Sequence, residues 1–267
     1  MFSPLPVHGL SQIATEILAQ LRAVDRERQR RVAAPGLDDK VVALKAYQQR
    51  RFSHTYADLL RSQRYGAAAR FFLDELYGPG DFTRRDGQFA RVVPALVRLF
   101  PAEIVDTVAA LAKLHALSEA LDTEMGVQLH DAELDASAYI EAWQRAGSAA
   151  QRQSQIELTL DVARRLDLVT RSRLMRGSLR LMRGPAQAAN LTELQRFLEA
   201  GFDTFRAMKD AGEFIATVDV RERSLARALF DADLQTPGSA SLHLALASLP
   251  SASCTDGAPG TDRQRSV

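Results

Sequence analysis

One cysteine, Cys254, occurs in a chain of 267 residues. That excludes an intramolecular disulfide and a thiolate metal cluster. Lysine is nearly as scarce, with 4 against 30 arginines. An arginine bias of this kind fits a GC-rich bacterial genome, and the net charge of +1 gives no global pull toward nucleic acid or membrane. No run approaches the roughly 18 apolar residues that a membrane span needs. The first ten residues, MFSPLPVHGL, lack a basic start and an apolar core, which argues against a signal peptide and for a cytoplasmic location. Alternating β-type runs flanked by hairpin turns are also missing. So are a Gly-rich phosphate loop, a Gly-x-Ser-x-Gly elbow, a His-Glu-x-x-His pair and the Glu-x-x-His of di-iron bundles. The best-known sequence signals of phosphate, acyl-transfer and metal chemistry are therefore absent.

What is present is helical periodicity. Ile13, Ile17, Leu21 and Val24 form one stripe. APG at 34–36 ends it, and a second follows through Val41, Leu44, Gln48, Arg51, Phe52, Thr55 and Leu59. A third helix spans Tyr65 to Tyr77, stopped by Gly78-Pro79 because proline cannot donate a backbone hydrogen bond and pushes the residue before it out of the α region. Thr83-x-x-Asp86 resembles a capping box, and a kink is expected at Pro94. Pro101 suits a first helical turn, and the helix after it runs to about Gln128. Asp135, Ser148-x-x-Gln151, Asn190-x-x-Glu193 and Asp219-x-x-Glu222 mark four further starts. The fold class is all-α, a bundle of eight to ten helices. The helical domain covers 1–232, with a sub-boundary allowed near 170–190. Residues 233–267, rich in Pro, Gly, Ser and Ala, read as a disordered C-terminal tail with one short apolar patch, LHLAL at 242–246.

The stretch Arg70–Asp86, RFFLDELYGPGDFTRRD, poses a packing question. On an α-helix Phe72, Leu73, Leu76 and Tyr77 share an apolar arc, while Phe71 falls between Asp74 and Glu75. Burial on two sides, with Asp74 or Glu75 reaching an arginine such as Arg84, Arg85 or Arg91, answers it without a further molecule. A ligand pocket or a partner surface at Phe71 are the alternatives. The block Phe71-Phe72-Leu73-Asp74-Glu75-Leu76-Tyr77, with Gly78, Pro79, Arg84, Arg85 and Asp86 after it, resembles the signature of the uncharacterised proteobacterial FFLEELY-motif family, with Asp74 for that family's first Glu. The resemblance implies a bacterial source and a helical fold. It brings no activity and no catalytic residues.

Two constellations could carry chemistry. In LHALSEALDTEM, His115, Glu119 and Asp122 lie at i, i+4 and i+7 and share a helix face. They suit a metal site or a base with its orienter, provided polar groups on another helix converge with them. His54/Asp58 and His130/Asp131 are such partners by residue type alone. The same histidine, in a leucine-rich helix loosely similar to the proximal helix of globins, could ligate haem. A solvated boundary histidine bonded to Glu119 is the plainer alternative, and no cofactor at all is the simplest expectation.

The second is SRLMRGSLRLMRG, which puts Arg173, Arg176, Arg180 and Arg183 along one side of a helix. Such a stripe can hold phosphates, an anionic membrane or an acidic partner. Residues 114–144 carry seven acids and no Lys or Arg, while 164–192 carry seven arginines and one acid. Mutual neutralisation of the two segments is the simplest account. Aromatic residues for base stacking are missing from the basic segment, so nucleic acid is the weaker partner class. The leading functional reading is a non-enzymatic regulatory or interaction protein, with a protein partner or a second copy meeting these two surfaces. The alternative is a small-ligand, haem or metal-binding helical protein, or an enzyme, centred on His115, Glu119 and Asp122.

Overall fold

The computed structural model describes residues 7–76, 82–130 and 134–250, with backbone alone for 7–11, 75, 76, 173–175 and 178. Among the described residues every regular element is helical: thirteen α-helices and one π-helical turn. They are α1 (Val7–Ala33), α2 (Leu37–Thr55), α3 (Ala57–Arg61), α4 (Gly66–Phe71), α5 (Thr83–Leu99), α6 (Ala102–Gln128), α7 (Ala136–Arg145), α8 (Ala149–Thr170), α9 (Arg173–Leu181), α10 (Arg183–Ala188), α11 (Thr192–Ala207), α12 (Gly212–Asp231) and α13 (Ala240–Ala247), with the π turn at Phe72–Leu76. The elements beyond the expected number are short, and several arise where one sequence stripe is broken into two pieces.

The central helix is α6, which packs against α1, α2, α5, α7 and α8. Gly126 lets α2 close on it: a Cβ there would meet Val41 Cγ2 at 2.5 Å and Leu37 Cδ1 at 3.2 Å. Three apolar clusters surround the axis. One joins α1, α5 and α6 through Ile17, Leu21, Val93, Val97 and Val105. A second gathers Phe52, Tyr56, Phe72, Leu160, Phe205 and Phe214. The third holds Leu44, Met125, Tyr139, Trp143, Leu225 and Leu229, and α13 closes it with Ala245 and Leu249. The expectation of disorder from residue 233 therefore does not hold through residue 250: LHLAL forms α13, capped by Ser239 and docked on the third cluster. Residues 251–267 lie outside the described residues.

Local signals succeeded where a side chain closed the cap by itself. Asp135 accepts from Ala138 N at 2.7 Å. Ser148 and Gln151 exchange the two bonds of a capping box at 3.3 and 2.8 Å. They failed where a tertiary partner claimed the residue. Phe82, not Thr83, is the cap position of α5, and Asp86 turns to Arg28 and His115. Pro101 is the cap position of α6 rather than its first helical residue. Leu191 precedes α11, with Asn190 left-handed at φ 56°. Asp219 and Glu222 lie inside the uninterrupted α12.

The placement of Phe71 follows from the π turn. The wider i→i+5 turn adds a residue to the helix circumference. Phe71 and Phe72, adjacent in sequence, are both buried. Phe71 packs on Phe197 of α11 with centroids 5.5 Å apart, and a Cβ at Gly201 would sit 3.0 Å from its Cζ. Phe72 turns to Phe205 and Phe214 at 5.8 and 5.9 Å. Burial is thus two-sided, but Asp74 is exposed and needs no buried arginine. The Glu75 side chain and Tyr77, Gly78 and Pro79 lie outside the described residues.

Candidate functional site

The three apolar clusters leave a polar seam between them, and α6 supplies its spine. His115, Glu119 and Asp122 do share one face, and each meets another helix. Asp86 of α5 receives both His115 Nε2, at 2.9 Å, and Arg28 Nη2, at 2.6 Å, on the same carboxylate oxygen. Burial favours the neutral acid there, but the His115 hydrogen bond and the Arg28 charge outweigh it and hold Asp86 below the usual aspartate range. An ionised carboxylate only accepts, so His115 donates from Nε2.

Glu119, 4 % exposed, is clamped by two cations. Lys45 Nζ lies 2.6 Å from Oε1, and Arg31 Nη2 pairs with Oε2. Arg31 is itself buried and also donates to Thr123 Oγ1 at 2.8 Å and to the Glu119 carbonyl at 3.0 Å. Burial pushes the Glu119 carboxyl up, but the Lys45 and Arg31 charges reverse this and bring it to about 2. Asp122 has no such clamp. Burial raises its pKa, and the neighbouring Glu119 charge adds to the rise; Gln48 Nε2 donates to it at 2.9 Å.

Along this seam lies a cavity of about 200 Å³. For comparison, an apolar cavity of about 150 Å³ is enough to admit benzene. The cavity follows α6 from Val108 to Asp122, about 20 Å at the helical rise. Its polar wall carries Lys45, Gln48 and Arg51 of α2 and Arg152 of α8 in addition to the α6 residues. Its apolar wall includes Phe52, Phe72, Leu160, Phe197 and Phe214. Arg85, stacked over Phe82 and Phe197 at 4.1 and 4.5 Å, also lines it. Arg51 is held by Glu222 at 2.6 Å, an oxygen that also accepts from the Tyr56 hydroxyl at 2.7 Å.

Arg152 stands apart. It is 2 % exposed, its plane lies 3.9 Å over the Trp143 ring, and Nη1 donates to Gln155 at 3.1 Å. Its Nε and Nη2 have no hydrogen-bond partner, and neither do the Tyr139 hydroxyl and the Trp143 Nε1, two further donors on the same cavity. Burial, reinforced by the Arg51 charge, lowers the Arg152 pKa.

His115, Glu119 and Asp122 thus meet polar groups of α1, α2 and α5. Among the described residues no three His, Cys, Asp or Glu side chains are grouped for a metal. Two cations against Glu119 would also repel one. Nε2 of His115, the atom free to ligate iron only if unbonded, is tied to Asp86. The suggested outer partners do not join: His54 and His130 are exposed, Asp58 pairs with Arg221, and Asp131 lies outside the described residues.

The arginine stripe is engaged elsewhere. Arg176 reaches Asp203 at 3.0 Å, and Arg183 takes both oxygens of Glu199 at 2.7 and 2.6 Å. Arg180 is exposed, and the Arg173 side chain lies outside the described residues. The acids of α6 pair with α1 and α2, as in Glu124 with Arg30 and Glu119 with Arg31. Neutralisation is internal, then, but these pairs are not formed between 114–144 and 164–192. Arg84 of the motif block pairs with Glu193 at 3.0 Å.

Sequence reasoning missed Lys45 and Arg152 as site residues. A signal existed: Gln48 and Arg51 interrupt the apolar stripe of α2, and Arg152 begins the inner stripe Arg152, Ile156, Leu160, Ala163 of α8. Polar residues at core positions of an amphipathic helix mark either an internal ion pair or a site.

Over residues 27–236 the chain matches the model of the family described as Domain of unknown function (DUF8198), and it belongs to that family. The match runs from within α1 to just past α12 and so contains the whole cavity wall from Lys45 to Ala226 except Leu21. Comparison with curated proteins and with solved structures found no match.

Proposed function

We propose that this protein binds a small organic ligand in the cavity beside α6. The observation that carries the reading is the unfilled set of buried donors on Arg152, Tyr139 and Trp143. Buried polar groups nearly always find partners, because an unmade hydrogen bond costs the full desolvation of the group, about 1–3 kcal/mol and more for a charge. Three adjacent exceptions opening on one cavity are what a ligand would resolve. An apolar enclosure with a few convergent polar groups is also the usual form of a small-molecule site.

The interaction-surface reading has weaker support, since Arg176 and Arg183 already hold acids of α11 and Glu119 is buried. Native mass spectrometry of the untagged protein as purified tests the proposal. A mass excess that disappears on denaturation is expected. A bare mass, together with no rise in Tm from a panel of small organic acids, amides and alcohols, overturns it.

A further inference from the structure

The donors left open on the cavity define what the ligand must offer. Among them are Arg152 Nε and Nη2, the Tyr139 hydroxyl and the Trp143 indole N–H. The guanidinium and indole groups can only donate. Nε and Nη2 form the side edge of the guanidinium, the one that matches two oxygens of a carboxylate. Elsewhere in this chain the same two atoms show the match made: Arg183 Nε and Nη2 receive Glu199 Oε1 and Oε2 at 2.7 and 2.6 Å. At Arg152 the other features of a fixed fork are in place. Gln155 holds Nη1, and Trp143 lies under the plane, so the open edge keeps one direction.

Charge points the same way. Arg51 and Lys45 line the cavity with Arg152, but Glu222 and Glu119 answer the first two at 2.6 Å each, and no ion pair answers Arg152 among the described residues. The other carboxyls on the cavity, Asp86, Glu119 and Glu222, each already pair with a cation, and burial raises the pKa of Asp122. The apolar wall of the space is formed by Phe52, Phe72, Leu160 and Phe214 among others.

We propose that the Nε/Nη2 edge of Arg152, with the Tyr139 hydroxyl and the Trp143 N–H, is the head-group site for a monocarboxylate whose apolar chain or ring lies along α6. This rests on the small-ligand reading above and narrows it to one chemical class.

Isothermal titration of the full-length protein with octanoate, octanamide and 1-octanol tests it. Octanoate is expected to bind saturably and more tightly than either neutral analogue. Arg152→Met should weaken octanoate by about tenfold to a hundredfold, the worth of a hydrogen bond to a charged group, and leave 1-octanol unchanged. Arg152→Lys keeps the charge but not the fork and should also lose about tenfold; it and Tyr139→Phe serve if the methionine variant does not fold. Equal binding of all three probes, or octanoate affinity untouched by these variants, overturns the carboxylate assignment. A neutral molecule released from the purified protein overturns it too, while sustaining the cavity reading. A bare protein that takes up none of the three removes both.

Discussion

Glu119 and Arg152 are two buried charges on one cavity, and they are treated in opposite ways. Glu119 has Lys45 and Arg31 on its two oxygens and a carboxyl held at about 2. Arg152 has a glutamine, an aromatic face and an open edge. Taking an ion out of water costs several kcal/mol, and only close, well-oriented opposite charge offsets that. The first arrangement is complete without any other molecule and ties α1, α2 and α6 together. The second is incomplete, and the proposed carboxylate would complete it.

The largest effect is expected where the complete arrangement is broken. Glu119→Gln keeps the shape but leaves buried Arg31 and half-buried Lys45 without their anion. A loss of about 3–5 kcal/mol in urea unfolding is expected. Loss of less than about 1 kcal/mol would mean that the clamp contributes little.

The same group predicts an acid dependence. Its folded pKa of about 2 lies below the ordinary 4.5, so its contribution is fully present above pH 4.5 and is lost as the pH falls toward 2. The Tm of Glu119→Gln should therefore approach that of the parent protein across that interval. Parallel curves would contradict the clamp.

At Arg152 the sign reverses. Arg152→Met removes an unanswered charge and should raise the stability of the ligand-free protein, by about 1–4 kcal/mol, the range found when buried ionic groups give way to apolar ones of similar volume. A fall of that size would show that Arg152 is as structural as Glu119.

Packing gives a control independent of charge. Gly126→Ala would press a Cβ into Val41 and Leu37 and should cost about 1–3 kcal/mol by separating α2 from α6. Because α2 and α6 both line the cavity, octanoate binding should weaken with it; unchanged binding would show that the cavity does not depend on that approach. The smallest effect is at Ser148→Ala, where loss of the cap should cost about 1 kcal/mol and leave ligand affinity within error, although the cap lies one turn from Arg152.

How much of this was legible differs between the two charges. The His115, Glu119, Asp122 face could be read from spacing, because three polar residues at helical intervals announce themselves. Arg152 was legible only as a polar residue heading the inner stripe of α8, since what singles it out comes from Trp143 and Tyr139 on another helix. The arginine stripe at 173–183 was conspicuous in sequence, yet Arg183 is spent on Glu199 only 16 residues away. LHLAL at 242–246 was visible as apolar, but its docking depends on Leu225 and Leu229 being there to receive it. The paired phenylalanines raised the right question at Phe71, and a π turn that no side-chain pattern specifies supplied the answer.

By itself the sequence determined the helices, their caps at Asp135 and Ser148, and the faces they bury, because an α-helix repeats every 3.6 residues and its first turn is capped by neighbours in the chain. Only the tertiary structure decided which polar residues meet. Arg31 and Glu119 are 88 residues apart, Gln48 and Asp122 are 74, and Arg51 and Glu222 are 171. Local periodicity places each on an inner face, but packing of whole helices selects its partner and leaves the Nε/Nη2 edge of Arg152 open.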